Sequence, residues 1–166
     1  MGVIIIFACT AIATVEKTEE KPLSEINKPQ KEIVLSSAEN KEWLKNFVKN
    51  AIENMEATDK LYAKYVSKDY TQHVDGKVLN YDDFVAHMKV QKQTVKSVKI
   101  VFHDMIAEGN KVTTFHTAYA IKKNDQPVEI QVIAIFEIKD GKLISCNELT
   151  HLVKGKLSDK DLGSRH

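Results

Sequence analysis

Residues 98–152 read VKIVFHDMIAEGNKVTTFHTAYAIKKNDQPVEIQVIAIFEIKDGKLISCNELTHL. The stretch divides into four runs, 98–107, 111–122, 128–138 and 142–152, dominated by β-branched and aromatic residues that suit a pleated, half-buried surface. Glu108-Gly109-Asn110, Asn124-Asp125 and Asp140-Gly141 punctuate them. Connections this short join antiparallel neighbours, so the spacing predicts a four-stranded meander. The third run is apolar on both faces from Val132 to Phe136, and both faces therefore need cover.

Upstream the period changes from two to about 3.6. Ser36-Ser37-Ala38-Glu39 is a capping box, and Trp43, Leu44, Phe47, Val48, Ala51, Ile52 and Met55 follow as the apolar stripe of a helix. Thr58-Asp59 caps a shorter helix with Leu61, Tyr62, Tyr65 and Val66. Asp75-Gly76 makes a turn, and Asn80 caps a third helix. Asp82 and Asp83 suit its positive first turn, and Phe84, Val85 and Met88 face inward. Three helices before an antiparallel meander predict an α+β fold, with the helices on one face of a curved sheet.

The whole chain has 166 residues, 43% hydrophobic and 28% charged, the mix of an ordinary globular protein. Twenty-four Lys and Arg against 23 Asp and Glu leave a net charge of +1, which argues against nucleic acid as a partner. Arg165 is the lone arginine, so the body has no guanidinium fork for a phosphate or carboxylate. No glycine-rich phosphate loop occurs, and no cofactor is expected. Six histidines lack the H-x-H, H-x-x-x-H or paired-cysteine spacings of a metal site, so no metal is expected either.

Val3 to Val15 is an uncharged run of thirteen residues, too short to span a bilayer but matched to the apolar core of an export signal. Ala11-Ile12-Ala13 offers the small-x-small pattern of a cleavage site. In the alternative, Ile6-Phe7-Ala8-Cys9 is a loose lipobox with a lipid anchor on Cys9. Residues 1–15 are thus expected to be a signal peptide or lipoprotein leader of an exported protein, periplasmic or secreted. Residues 16–35 follow as a Lys- and Glu-rich linker, 36–154 as the domain and 155–166 as a charged tail. Only Leu157 and Leu162 could dock that tail, and the sequence assigns it no function. Cys146 is expected in the core, since an exported lone thiol survives by burial.

Three segments carry a family resemblance. Tyr70-Thr71-Gln72-His73, Ile106-Ala107-Glu108-Gly109-Asn110-Lys111-Val112 and Phe136-Glu137-Ile138-Lys139-Asp140-Gly141-Lys142-Leu143 resemble, in order and spacing, motifs of SnoaL-like domains in the NTF2-like superfamily. The likeness spans about residues 37–152. It implies a cone with a pocket between helices and sheet, in a superfamily of polyketide cyclases, ketosteroid isomerases, dehydratases and noncatalytic binding domains. It also implies a homodimer joined through the outer sheet face, with Ile133 and Ile135 near its centre.

The chain departs from the family where the pocket acids usually lie, with Ala134 and Ser145 in their places. A two-residue Asp140-Gly141 turn pairs Ala134 with Asn147 and Phe136 with Ser145, which puts Glu148 and Cys146 on the opposite face and leaves the pocket without a carboxylate. The length of the Asn124-Asp125 loop decides whether Phe115 or His116 faces the pocket, and both remain open.

His73 is the candidate general acid or base, matching the family's histidine; its other role is to fix the loop before the third helix. His116, Asn147, Tyr70 and Phe136 complete the expected ligand-binding set. Asp75 could orient His73 but also suits the turn, His87 could join the inner face of the third helix, and His103 beside Asp104 points away from it. Without pocket acids, the favoured function is noncatalytic binding of a small apolar or carbonyl-containing molecule. The alternative is a cyclase, isomerase or dehydratase with His73 as its proton carrier.

Overall fold

Ser36 opens the first helix by the reciprocal bonds its spacing predicts. Its hydroxyl accepts from the Glu39 N–H at 3.3 Å, and its own N–H donates to Glu39 Oε2 at 2.8 Å. The computed structural model describes residues 35–160 and 162. The expected leader at 1–15 and the expected linker up to residue 34 lie outside the described residues.

Helix α1 (Ser37–Phe47) widens into a π-helical turn at Val48–Ile52, closed by the Glu53 N–H on the Val48 carbonyl at 2.9 Å. It stops short of Met55, yet Leu44, Phe47, Val48 and Ala51 are buried. Helix α2 (Asp59–Tyr65) and helix α3 (Tyr81–Thr94) follow. The α3 start is a second capping box, in which the Asp83 N–H donates to Asn80 Oδ1 at 3.0 Å and the Asn80 N–H to Asp83 Oδ2 at 3.1 Å. Its inner face buries Phe84, Val85, His87 and Met88.

The sheet has six strands instead of the expected four. These are β1 (Val66–Val74), β2 (Lys77–Asn80), β3 (Val95–Glu108), β4 (Lys111–Lys122), β5 (Pro127–Lys139) and β6 (Lys142–Lys154), in spatial order β2-β1-β6-β5-β4-β3. The meander β3 to β6 is antiparallel, but β1 lies parallel to β6, so the sheet is mixed. The first strand hides in the sequence because only Val66, Tyr70, Gln72 and Val74 are buried, among polar neighbours, and one of those four is an amide.

Register decides the two faces. Between β4 and β5 the longer loop holds, so Thr114 pairs with Ala134 and His116 with Val132, and His116 faces inward. Between β5 and β6 the tight turn pairs Lys139 with Lys142, as expected. The ladder then slips: Ile138 pairs with Leu143 but Glu137 with Ser145, leaving Ile144 as the extra residue of a bulge. Beyond it Phe136 faces Cys146 and Ala134 faces Glu148. The expected pairs Ala134–Asn147 and Phe136–Ser145 are therefore overturned. A one-residue slip moves every side chain of β6 to the other face.

Candidate functional site

The inner face of the sheet and the helices enclose a cavity of about 150 Å³. Phe47, Phe84 and Met88 line it from the helices, and Ile130, Val132 and Phe136 from β5. The polar groups gather on β1 and β6. Because the two strands run parallel with Gln72 opposite Cys146, Gln72 reaches across the ladder and its Nε2 donates to Glu148 Oε1 at 2.7 Å. Tyr70, two residues back on the same face, donates its hydroxyl to Gln72 Oε1 at 3.4 Å. The Cys146 thiol lies 3.9 Å from Glu148 Oε2. These four side chains all line the cavity.

Burial governs their protonation. Desolvation pushes the Glu148 carboxyl from its ordinary 4.5 to about 7; the Asp75 charge adds to this and the Gln72 amide bond opposes it. Burial likewise drives Tyr70 and Cys146 well up, with the Glu148 charge reinforcing both, so they stay protonated at neutral pH. Glu148 thus exchanges its proton near neutrality, the condition for general acid–base work. Its partial exposure is consistent with a side chain packed in protein that also faces the cavity.

His116 also lines the cavity. Burial, with His103 nearby, lowers it to about 4, so the ring is neutral at physiological pH. Its Nδ1 is 2.9 Å from Thr114 Oγ1 and its ring packs 5.5 Å from Phe102. A neutral imidazole offers a ligand one donor or one acceptor.

Of the residues expected from sequence, Tyr70, Phe136 and His116 reach the cavity. The structure does not bring His73 or Asn147 there. They are cross-strand partners on β1 and β6, both exposed on the outer face. Alternation along β1 sends Tyr70 and Gln72 in and His73 out. Asp75 instead ties the β1–β2 turn to β6, accepting from the Thr150 N–H at 2.8 Å and from the Thr150 hydroxyl. His87 is buried and lines the cavity. His103 bonds Thr117 Oγ1 through Nε2 at 2.7 Å. Sequence reasoning missed Gln72 and Glu148. Gln72 stood inside the family segment, but nothing local to Glu148 marks the bulge that turns it inward.

Comparison with known proteins agrees with this architecture. An uncharacterised protein of Schizosaccharomyces pombe is 36% identical over 100 residues, covering 60% of this chain and 77% of that one. AclR, a putative hydroxylase from Streptomyces galilaeus, superposes with a TM-score of 0.61 at 16% identity, over 79% of this chain and 89% of its own. An LEH-like epoxide hydrolase of M. tuberculosis gives 0.58 at 16% identity, over 77% and 90%. A putative SnoaL-like polyketide cyclase from Jannaschia sp. CCS1 gives 0.58 at 12%, over 69% and 86%. At such identities these structures share the fold alone. The SnoaL-like domain family itself matches residues 42–146, and with the three helices, the curved sheet and the cavity between them, this chain belongs to that family.

Proposed function

We propose that the cavity binds a small, mostly apolar molecule carrying a carbonyl, and that Glu148 moves a proton on it. The observation behind this reading is the Glu148 carboxyl, held by Gln72 at 2.7 Å in a cavity lined mostly by apolar side chains. In the carboxylate form it takes a proton from the carbon next to the carbonyl, and the resulting acid returns one. The enolate oxygen needs a donor while it carries charge, and the protonated Tyr70 hydroxyl and neutral His116 are the groups available. The expectation of a noncatalytic domain rested on a pocket without a carboxylate, a premise the bulge at Ile144 removes. The neighbours described as cyclase, hydroxylase and epoxide hydrolase support an enzyme without choosing its reaction.

The probe for this reading is 2-tetralone, a bicyclic ketone, followed by NMR for exchange of its α-hydrogens in deuterated water. Exchange should rise through an apparent pKa near 7, and Glu148→Gln should slow it by at least about 100-fold. Saturable binding without protein-dependent exchange would instead favour the noncatalytic domain. Absence of binding would remove small ketones as ligands.

We also propose that a second copy covers the outer face of the sheet. Phe115, Ile133 and Leu149 sit side by side there across β4, β5 and β6, at 39, 58 and 70% exposure. An apolar row of this kind on a soluble domain marks an interaction surface. The third proposal concerns residues 3–15, whose uncharged run is read as an export signal; fractionation of cells with an antibody to the domain tests it, and a wholly cytosolic signal would reject it.

A further inference from the structure

Of the tail that the sequence left without a role, residues 155–160 and 162 fold back onto the domain. Gly155, directly after β6, has φ +142, and a Cβ there would lie 3.2 Å from Asp159 Oδ2 and 3.4 Å from Val128 Cγ1. Only glycine turns the chain so sharply at that spacing. A 3₁₀ turn, Leu157–Asp159, follows. Asp159 is buried and accepts both bonds of Lys122 Nζ, at 2.9 and 3.0 Å, along with the Lys156 N–H at 2.8 Å. Its carbonyl accepts from the Leu162 N–H at 3.1 Å. Leu157 stays in solvent, while Leu162 is 5% exposed and lines the cavity.

A buried ion pair is costly to desolvate and contributes little net stability, so its main effect here is to fix the position of this short segment. Lys122 ends β4 and Val128 lies near the start of β5. Glu148 sits opposite Ala134, six residues farther along β5, which is about 20 Å of strand. The strap is therefore anchored far from the proton-transfer end.

We infer that the C-terminal strap forms the end wall of the cavity and that Leu162, latched by Asp159 and Lys122, sets the length of ligand the cavity accepts. This rests on the cavity being a ligand site, with the polar group at Glu148 and the apolar body extending toward Leu162. The substrate class is thereby narrowed to molecules with one polar end and an apolar extension of limited length.

The test uses 4-alkylphenols with chains of two to six carbons, titrated calorimetrically into the full chain. Affinity should rise about fourfold per methylene until the chain meets the wall, then level off. Leu162→Ala should move that break two or three carbons longer, and Leu162→Trp should move it shorter. An unchanged break in both variants overturns the inference while leaving the cavity as a binding site. A second readout needs no ligand: a Leu162→Cys variant is alkylated with iodoacetamide and its C-terminal peptide weighed. The introduced thiol should react at least tenfold slower than in the denatured chain, and adding Asp159→Asn should abolish that protection. Equal rates in all three states would show the strap undocked and overturn the inference. A protected thiol in a protein that binds none of the phenols would reject the ligand reading, and length selection with it, while leaving the docked strap standing.

Discussion

The two faces of the sheet are built from the same kinds of residue and do different things. Along β5, Val132, Ala134 and Phe136 point inward, Val132 and Phe136 lining the cavity, while Ile133 and Ile135 point out. Both sets are apolar, so composition does not tell them apart. The difference lies on the neighbouring strands: inside are Tyr70, Gln72, Cys146 and Glu148, outside His73, Asn147 and Leu149. Gln72, Cys146 and Glu148 each have one of these outer residues as a chain neighbour. A carboxyl on the inner face is raised to about 7 by burial. Which face a residue occupies therefore matters more to the chemistry than which residue it is.

Inserting one alanine after Ile144 should break this contrast most severely. With the bulge still one residue long, Ser145 then pairs with Phe136 and every residue after it slips by one, turning Glu148 and Cys146 out and Leu149 in. Urea unfolding should show a loss above about 4 kcal/mol, or no folded protein. Retention of wild-type stability would mean that the ladder absorbs the extra residue and that the phase of β6 does not hold the faces.

The next largest effect is on the pH dependence of stability. Glu148 is raised from 4.5 to about 7, so the native protein keeps a proton that the unfolded chain has released, and its contribution falls as pH climbs through that window. His116 is lowered from 6.5 to about 4, so the unfolded chain binds the proton first, and its contribution rises with pH between those values and is lost on acidification. The two slopes oppose each other where the windows overlap. Glu148→Gln leaves the histidine slope alone and should gain about 3 kcal/mol relative to wild type between pH 4.5 and 7. Parallel stability curves for the two proteins would contradict the buried, titrating carboxyl.

On the outer face, Ile133→Lys should change the stability of the isolated chain by no more than about 1 kcal/mol, because the side chain is largely exposed. Sedimentation should show it monomeric where the wild type self-associates. A wild type that is monomeric at every concentration would reject the second copy as the cover. The smallest effect is expected for His73→Ala, within about 0.5 kcal/mol and without loss of proton transfer, since the ring stands in solvent outside the cavity. A loss of turnover in that variant would return His73 to the site.

Much of the architecture was legible. The Ser36 capping box, the Asn80 cap, the α3 stripe and the four long strands follow from short-range rules, and each is observed. The strands β1 and β2 were not, because β1 pairs in parallel with a segment some seventy residues away and carries polar residues on both faces. The site was legible in part: Tyr70, Phe136 and His116 were named, and Gln72 stood in a quoted motif. Glu148 was assigned to the wrong face, since a bulge leaves no composition signal of its own.

What the sequence determined alone is what nearest neighbours decide: capping side chains bond backbone groups three residues away, and alternation makes a strand two-faced. The tertiary structure decided which face is which. One unpaired residue at position 144 and one extra residue in the 123–126 loop set the phase of β6 and β4 against β5. Phase is a relation between strands, and with both faces of β5 apolar no local preference selects it. Packing against the helices does, and it carries Glu148 into the cavity.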